Sequence, residues 1–139
     1  MRHIILLLTI VLTAGCVQNP PTTADVQGKR FESVADKAVI YIVRPRVDSP
    51  TAGPLSIGNF GMISTHPGTY FRWEAAPGVQ RIEGFGPFSS SVTVQAEAGK
   101  IYFVEQNVMG NQRDGIQSMS LRRTDEIRGR RMVSEAQML

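Results

Sequence analysis

Apolar and polar residues alternate in short blocks along most of this chain, with glycine and proline punctuating them roughly every ten residues. Ala38-Val39-Ile40-Tyr41-Ile42-Val43 is an unbroken apolar run rich in β-branched side chains, which predicts a strand buried on both faces. From Thr69 to Ala75 the pattern alternates, with Phe71 and Trp73 on one side and Tyr70, Arg72 and Glu74 on the other. Pro77-Gly78 follows with the chemistry of a type II turn, because proline presets φ and glycine accepts a positive φ. That turn predicts Val79 to Gly84 as the partner strand of the segment before it. Ser91 to Glu97 places Val92, Val94 and Ala96 on one side, and Ala98-Gly99 turns the chain into a further apolar strand from Ile101 to Val108. Gly115 to Arg122 is a weaker strand with Met119 and Leu121 facing one way, and a short hairpin across Gly58-Asn59 joins Leu55–Ile57 to Gly61–Ile63. The fold class expected from this spacing is all-β, a small antiparallel β-sandwich of about seven to eight strands.

Only the C-terminus carries a helical period. Thr124 is the expected N-cap, Asp125 and Glu126 suit the positive end of the helix dipole, and Met132, Val133, Ala136 and Leu139 share a face. Gly129 is expected to weaken or break the earlier part. The helix is expected to close one end of the sandwich, the alternative being an amphipathic helix that binds a partner.

The first residues have another character. Arg2 precedes an apolar run from Ile4 to Leu12, followed by Leu12-Thr13-Ala14-Gly15-Cys16. This is the layout of a secretory signal ending in a lipobox, the sequence at which bacteria attach diacylglycerol to a cysteine and cleave before it. The apolar run is shorter than the roughly 20 residues needed to span a bilayer. Cys16 is the only cysteine, and a lone thiol in an oxidising compartment has no internal partner, whereas a thioether-linked lipid removes it. Residues 1–15 are therefore expected to be a leader, 16–28 a lipidated cysteine and flexible tether, and 29–139 one domain. Val17 is not the aspartate that retains lipoproteins at the inner membrane, so the expected location in a cell with two membranes is the periplasmic face of the outer one.

Three motifs in order, Tyr41-Ile42-Val43-Arg44-Pro45, the Pro77-Gly78 turn and Ala98-Gly99-Lys100-Ile101-Tyr102, together with the lipobox, resemble an uncharacterised family of proteobacterial lipoproteins, known as a domain of unknown function. The resemblance covers about residues 35 to 123. This chain departs from the family's commoner pattern at Phe103, where a second tyrosine is usual, and in the longer Gly/Pro-rich stretch from Asp48 to Pro67. The resemblance implies a small β-sandwich and no catalytic residues.

Catalytic and metal-binding patterns are sparse. With the leader gone, His66 is the sole histidine, and it lies in the turn-like Ser64-Thr65-His66-Pro67-Gly68. Neither His nor Cys offers metal-ligand spacing, so no metal or cofactor is expected. No Gly-x-Ser-x-Gly elbow presents a serine to His66, and Gly84-Phe85-Gly86 lacks the third glycine and the following helix of a phosphate-binding turn. The formal net charge is +3, and loss of Arg2 with the leader leaves +2. That balance does not point to nucleic acid. The last third is locally basic, and Arg122, Arg123, Arg128, Arg130 and Arg131 form a candidate patch for an anionic partner, or a solvated face with carboxylate neighbours. Arg44 is expected to pair with a carboxylate or with carbonyls at the end of its strand. The function expected from these features is a non-enzymatic interaction or structural module of the cell envelope, held to the membrane by lipid and meeting an envelope protein or peptidoglycan. The alternatives are a periplasmic binding module for peptidoglycan, glycan or anionic lipid, and an envelope hydrolase.

Overall fold

The computed structural model describes residues 20–139; the leader, the lipobox and Cys16 lie outside the described residues. Among the described residues nine strands form two sheets. The strands are β1 (Ala38–Val43), β2 (Gly53–Ile57), β3 (Gly61–Thr65), β4 (Thr69–Ala75), β5 (Gly78–Gly84), β6 (Ser91–Ala96), β7 (Ile101–Asn111), β8 (Gly115–Thr124) and β9 (Gln137–Met138). The helices are α1 (Thr23–Gly28) and α2 (Glu126–Glu135). One sheet has the order β8-β7-β1-β4-β9 and the other β3-β2-β5-β6. The chain is thus a small β-sandwich with a C-terminal helix.

β1 is apolar throughout because both its faces are covered. Ile40 and Ile42 face the second sheet and pack with Leu55, Ile57, Trp73 and Val104. Val39, Tyr41 and Val43 face the other way, into a second core with Tyr70, Phe103 and Val133 under the helices. The alternation read from β4 holds: Trp73 belongs to the core between the sheets and Tyr70 to the core under the helices. β6 and β8 turn Val94 and Met119 inward in the same way.

Two expectations about pairing are corrected. The sandwich is not wholly antiparallel, since β1 pairs with β7, and β4 with β9, in parallel. Nor does β5 pair with β4: β4 lies against β1 and β9, while β5 lies between β2 and β6. Pro77-Gly78 is therefore a corner that carries the chain from one sheet to the other. Ala98-Gly99 does the same between β6 and β7, which brings β7 into its sheet running alongside β1. A parallel pair needs a long connection rather than a tight turn, and here the second sheet supplies it. The hairpins are β2–β3, β5–β6 and β7–β8. In the first, Gly58 takes φ of +38°, and a Cβ there would press on the Trp73 ring.

The helix boundaries also differ from expectation. α2 is capped by Asp125, whose side chain accepts from Arg128 N–H, and not by Thr124, which ends β8. Gly129 does not break α2; it lies buried inside it, where the helix meets the Phe103 ring. Residues 23–28, read as tether, fold as α1. The Thr22 hydroxyl caps it by accepting from Asp25 N–H at 3.1 Å, and the tyrosines of two strands hold it down. Tyr41 Oη donates to Gly28 O at 2.7 Å, and Tyr70 Oη donates to Asp25 O at 3.2 Å. Short polar helices need such tertiary contacts to exist at all, because nucleation costs more than one or two turns return.

Candidate functional site

The five arginines singled out near the C-terminus do not form one patch. Glu105 stands opposite Arg122 in the β7–β8 register, on the helix-covered face, and is only 2% exposed. Arg122 reaches Glu105 Oε2 at 2.7 Å and Arg128, from the first turn of α2, reaches Oε1 at 2.9 Å. Each guanidinium also donates through Nε to Oε2 at 3.1 Å. Burial works against ionisation of this carboxyl. The hydrogen bonds from Arg128 and Arg122 outweigh it and hold Glu105 below the usual carboxylate range.

The other three arginines are dispersed. Arg123 stands opposite Val104, which faces the core between the sheets, and its guanidinium lies 5.5 Å from the Tyr102 ring centroid. Arg130 bonds Glu126 one turn earlier and covers the Phe31 ring at 4.6 Å. Arg131 is exposed on α2. Two of the five are thus spent on a buried carboxylate and two lie against rings.

Arg44 is wholly buried. Its Nε donates to Asp48 Oδ2 at 2.7 Å, Nη1 to Thr65 O at 3.1 Å and Nη2 to Ser49 O at 2.5 Å. This is the carboxylate-and-carbonyl pairing expected at the end of β1. Asp48 in turn accepts from Val108 N–H at 3.0 Å, which fastens the β1–β2 loop to β7. Beside it, Thr65 Oγ1 bonds Gln106 Oε1 at 2.6 Å between the sheets. The signals for Asp48 and Glu105 were present in the chain as a carboxylate four residues after Arg44, and as a single charge inside the apolar run from Ile101 to Val108.

His66 is exposed in the turn before β4, where its backbone exchanges hydrogen bonds with the Thr69 hydroxyl. Ser90 ties the β5–β6 loop to β8, its Oγ accepting from Leu121 N–H at 2.7 Å. Among the described residues no three His, Cys, Asp or Glu side chains are grouped as metal ligands. A cleft of about 470 Å³ lies between α1 and β4, with Arg30, Glu32, Arg72 and Glu74 on its walls. Its charges are mutually satisfied: Arg72 bonds Glu74, and Arg30 lies 3.9 Å from Glu32.

α1 is fastened to the sandwich at both its ends. Asp25 is 3% exposed; its Oδ2 meets Lys29 Nζ at 2.9 Å and its Oδ1 accepts from Met138 N–H at 2.9 Å. Desolvation alone would raise its pKa, but Lys29, the Met138 amide and Tyr70 together lower it. The start of the fold is in this way clamped to its last strand. Among the described residues no helix is long and apolar enough to cross a membrane. No family model and no curated protein matches this chain.

Proposed function

We propose that this chain is a bacterial lipoprotein, anchored through Cys16 to the periplasmic face of the outer membrane, and that its sandwich serves the envelope as a non-enzymatic interaction or structural module. Its kinship with the uncharacterised lipoprotein family is part of the same proposal. The observation that carries it is the lipobox Leu12-Thr13-Ala14-Gly15-Cys16, placed immediately ahead of a clamped domain. α1 supports the reading. A domain hung on a lipid benefits from an N-terminal element that is fastened to the core, because that element transmits any pull on the tether. Asp25, Tyr41 and Tyr70 supply this fastening through the C-terminal strand and two central strands. The ionisable clusters Arg44–Asp48 and Glu105–Arg122–Arg128 hold loops and helix in place, which fits a structural role for the charged residues.

Labelling of cells with a palmitate analogue tests the reading. The wild-type protein should incorporate label and sediment with outer membranes, whereas Cys16→Ser should lose the label and keep its uncleaved leader. Undiminished labelling of Cys16→Ser, or an unlabelled wild type, would overturn the anchor.

A further inference from the structure

The end of the sandwich at which α1 begins is not featureless. Pro21 borders a hollow shared with Arg46, Glu135 and Gln137. Arg46 bonds the carbonyl of Glu135, and Gly68 N–H bonds Arg44 O, so this hollow lies level with the C-terminal end of β1. β7 runs parallel to β1 with Glu105 opposite Val43, and it continues six residues further, to Asn111. Ser49 Oγ donates to Gly110 O at 2.8 Å, which lays the β1–β2 loop along that extension. The β5–β6 loop comes to the same end, because Phe88 O accepts from Met119 N–H and Met119 stands opposite Val108. This end exposes large apolar side chains on two loops and the β7–β8 hairpin: Val47 (95% exposed), Phe88 (79%), Met109 (66%) and Phe85 (43%).

Five residues, 17–21, separate Cys16 from Thr22. Fully extended, the six Cα-to-Cα steps from Cys16 to Thr22 reach about 22 Å. The overhang of β7 beyond Val43 is about 20 Å, six residues at some 3.3 Å each. The tether is therefore about as long as the hairpin that projects beside it, and a bilayer holding the Cys16 lipid lies within reach of the hairpin and its neighbouring loops. Resting on the lipid anchor proposed above, we infer that this end of the sandwich seats on the lipid leaflet, with Phe85, Phe88, Met109 and Val47 in the interfacial layer. Arg46 and Arg113, both exposed at this end, lie where headgroup phosphates would be. Aromatic and aliphatic side chains at that depth bury apolar area while the loops that carry them stay among the polar headgroups. The lipid fixes the protein to the membrane, and the loops fix its orientation.

Depth-dependent quenching tests this. Because the Cys16 thiol is consumed by the lipid, Phe88→Cys and Val79→Cys each give the lipidated protein one free thiol for an environment-sensitive fluorophore. Val79 is exposed at the opposite end, where β5 leaves the corner. In vesicles of phosphatidylethanolamine and phosphatidylglycerol, shallow nitroxide-labelled lipid should quench the probe at 88 at least about twofold more than the probe at 79. Equal quenching on vesicle-bound protein would overturn the seating and leave the anchor intact. A probe at 88 shielded from iodide but untouched by nitroxide lipid would mean that protein covers the loop, which also overturns it. Failure of palmitate labelling, with the chain free of vesicles, would remove the anchor and the seating together.

Discussion

Arg44 Nε donates to Asp48 Oδ2 across 2.7 Å with the guanidinium fully withdrawn from solvent. The pair closes the end of β1 and ties the β1–β2 loop to β7 through the Val108 amide. Every nitrogen of the guanidinium has a partner, which is the condition under which a buried charge is tolerated.

Removing one partner is expected to cost far more than removing both. Asp48→Ala leaves the buried Arg44 charge without a counterion, and Arg44 Nε and the Val108 N–H without an acceptor, and should destabilise the fold by about 3–5 kcal/mol. Replacing Arg44 and Asp48 together by apolar residues of similar volume should recover most of that loss. Urea unfolding of the three variants checks this through the midpoint at unchanged slope. A single substitution that costs no more than the double would show that the pair is not coupled.

Glu105 makes stability depend on acid. Its pKa in the fold lies below the 4.5 of a free glutamate: burial opposes this, but Arg128 and Arg122 prevail. The folded state therefore binds the proton less readily than the unfolded chain. The resulting stabilisation is complete above the unfolded value and is lost as pH falls through the depressed folded one. Glu105→Gln should lower stability at pH 7 by on the order of 1 kcal/mol, since both guanidinium groups stay partly in water. The difference between wild type and variant should shrink below about pH 4.5. Thermal melts at pH 7 and pH 3 measure it, and a gap that persists in acid would assign the loss to packing.

The amphipathic pattern disclosed strand positions and inward faces because both depend on neighbours one or two residues away. Phe71 and Trp73 share a face for the same reason that Val92, Val94 and Ala96 do. Pairing was less legible. Pro77-Gly78 has the same local chemistry at a hairpin and at a corner, and what separates the two is which sheet receives Ile82, decided by residues far along the chain. α1 was hidden because its six residues carry no apolar stripe. It is held by the hydroxyls of Tyr41 and Tyr70, which read in the sequence only as members of their strands. The arginine patch failed to assemble because Arg122 and Arg123, adjacent in a strand, face opposite sides of the sheet.

α1 should detach before the rest of the molecule opens. Asp25→Ala loses the Lys29 ion pair and the bond from Met138 N–H, and is expected to cost about 1–3 kcal/mol. Hydrogen exchange should rise first at the α1 amides and at Met138, with β1 protected at the level set by global unfolding. Uniform loss of protection across all strands would mean that α1 and the sandwich unfold as one unit.

Gly129 offers the sharpest test of how α2 sits on the sheet. In an exposed helix, glycine to alanine gains about 1 kcal/mol from backbone entropy and helix propensity. Here an added Cβ would lie 2.6 Å from Phe103 Cβ and closer still to the ring. Phe103 cannot swing away freely, because its ring stacks on Tyr41 at 5.3 Å and meets Phe31 at 6.1 Å. Overpacking of this kind costs about 1–3 kcal/mol, which outweighs the helical gain. Gly129→Ala should therefore lower the melting temperature. Phe103→Ala should cost less in the Gly129→Ala background than in the wild type, since loss of Cγ and the ring relieves the two closest contacts as it forfeits the stack. A Gly129→Ala protein more stable than wild type would show that α2 can ride up on Phe103 without losing its hold. The bonds from Arg128 to Glu105, one residue away on the same turn, would then have to stretch with it.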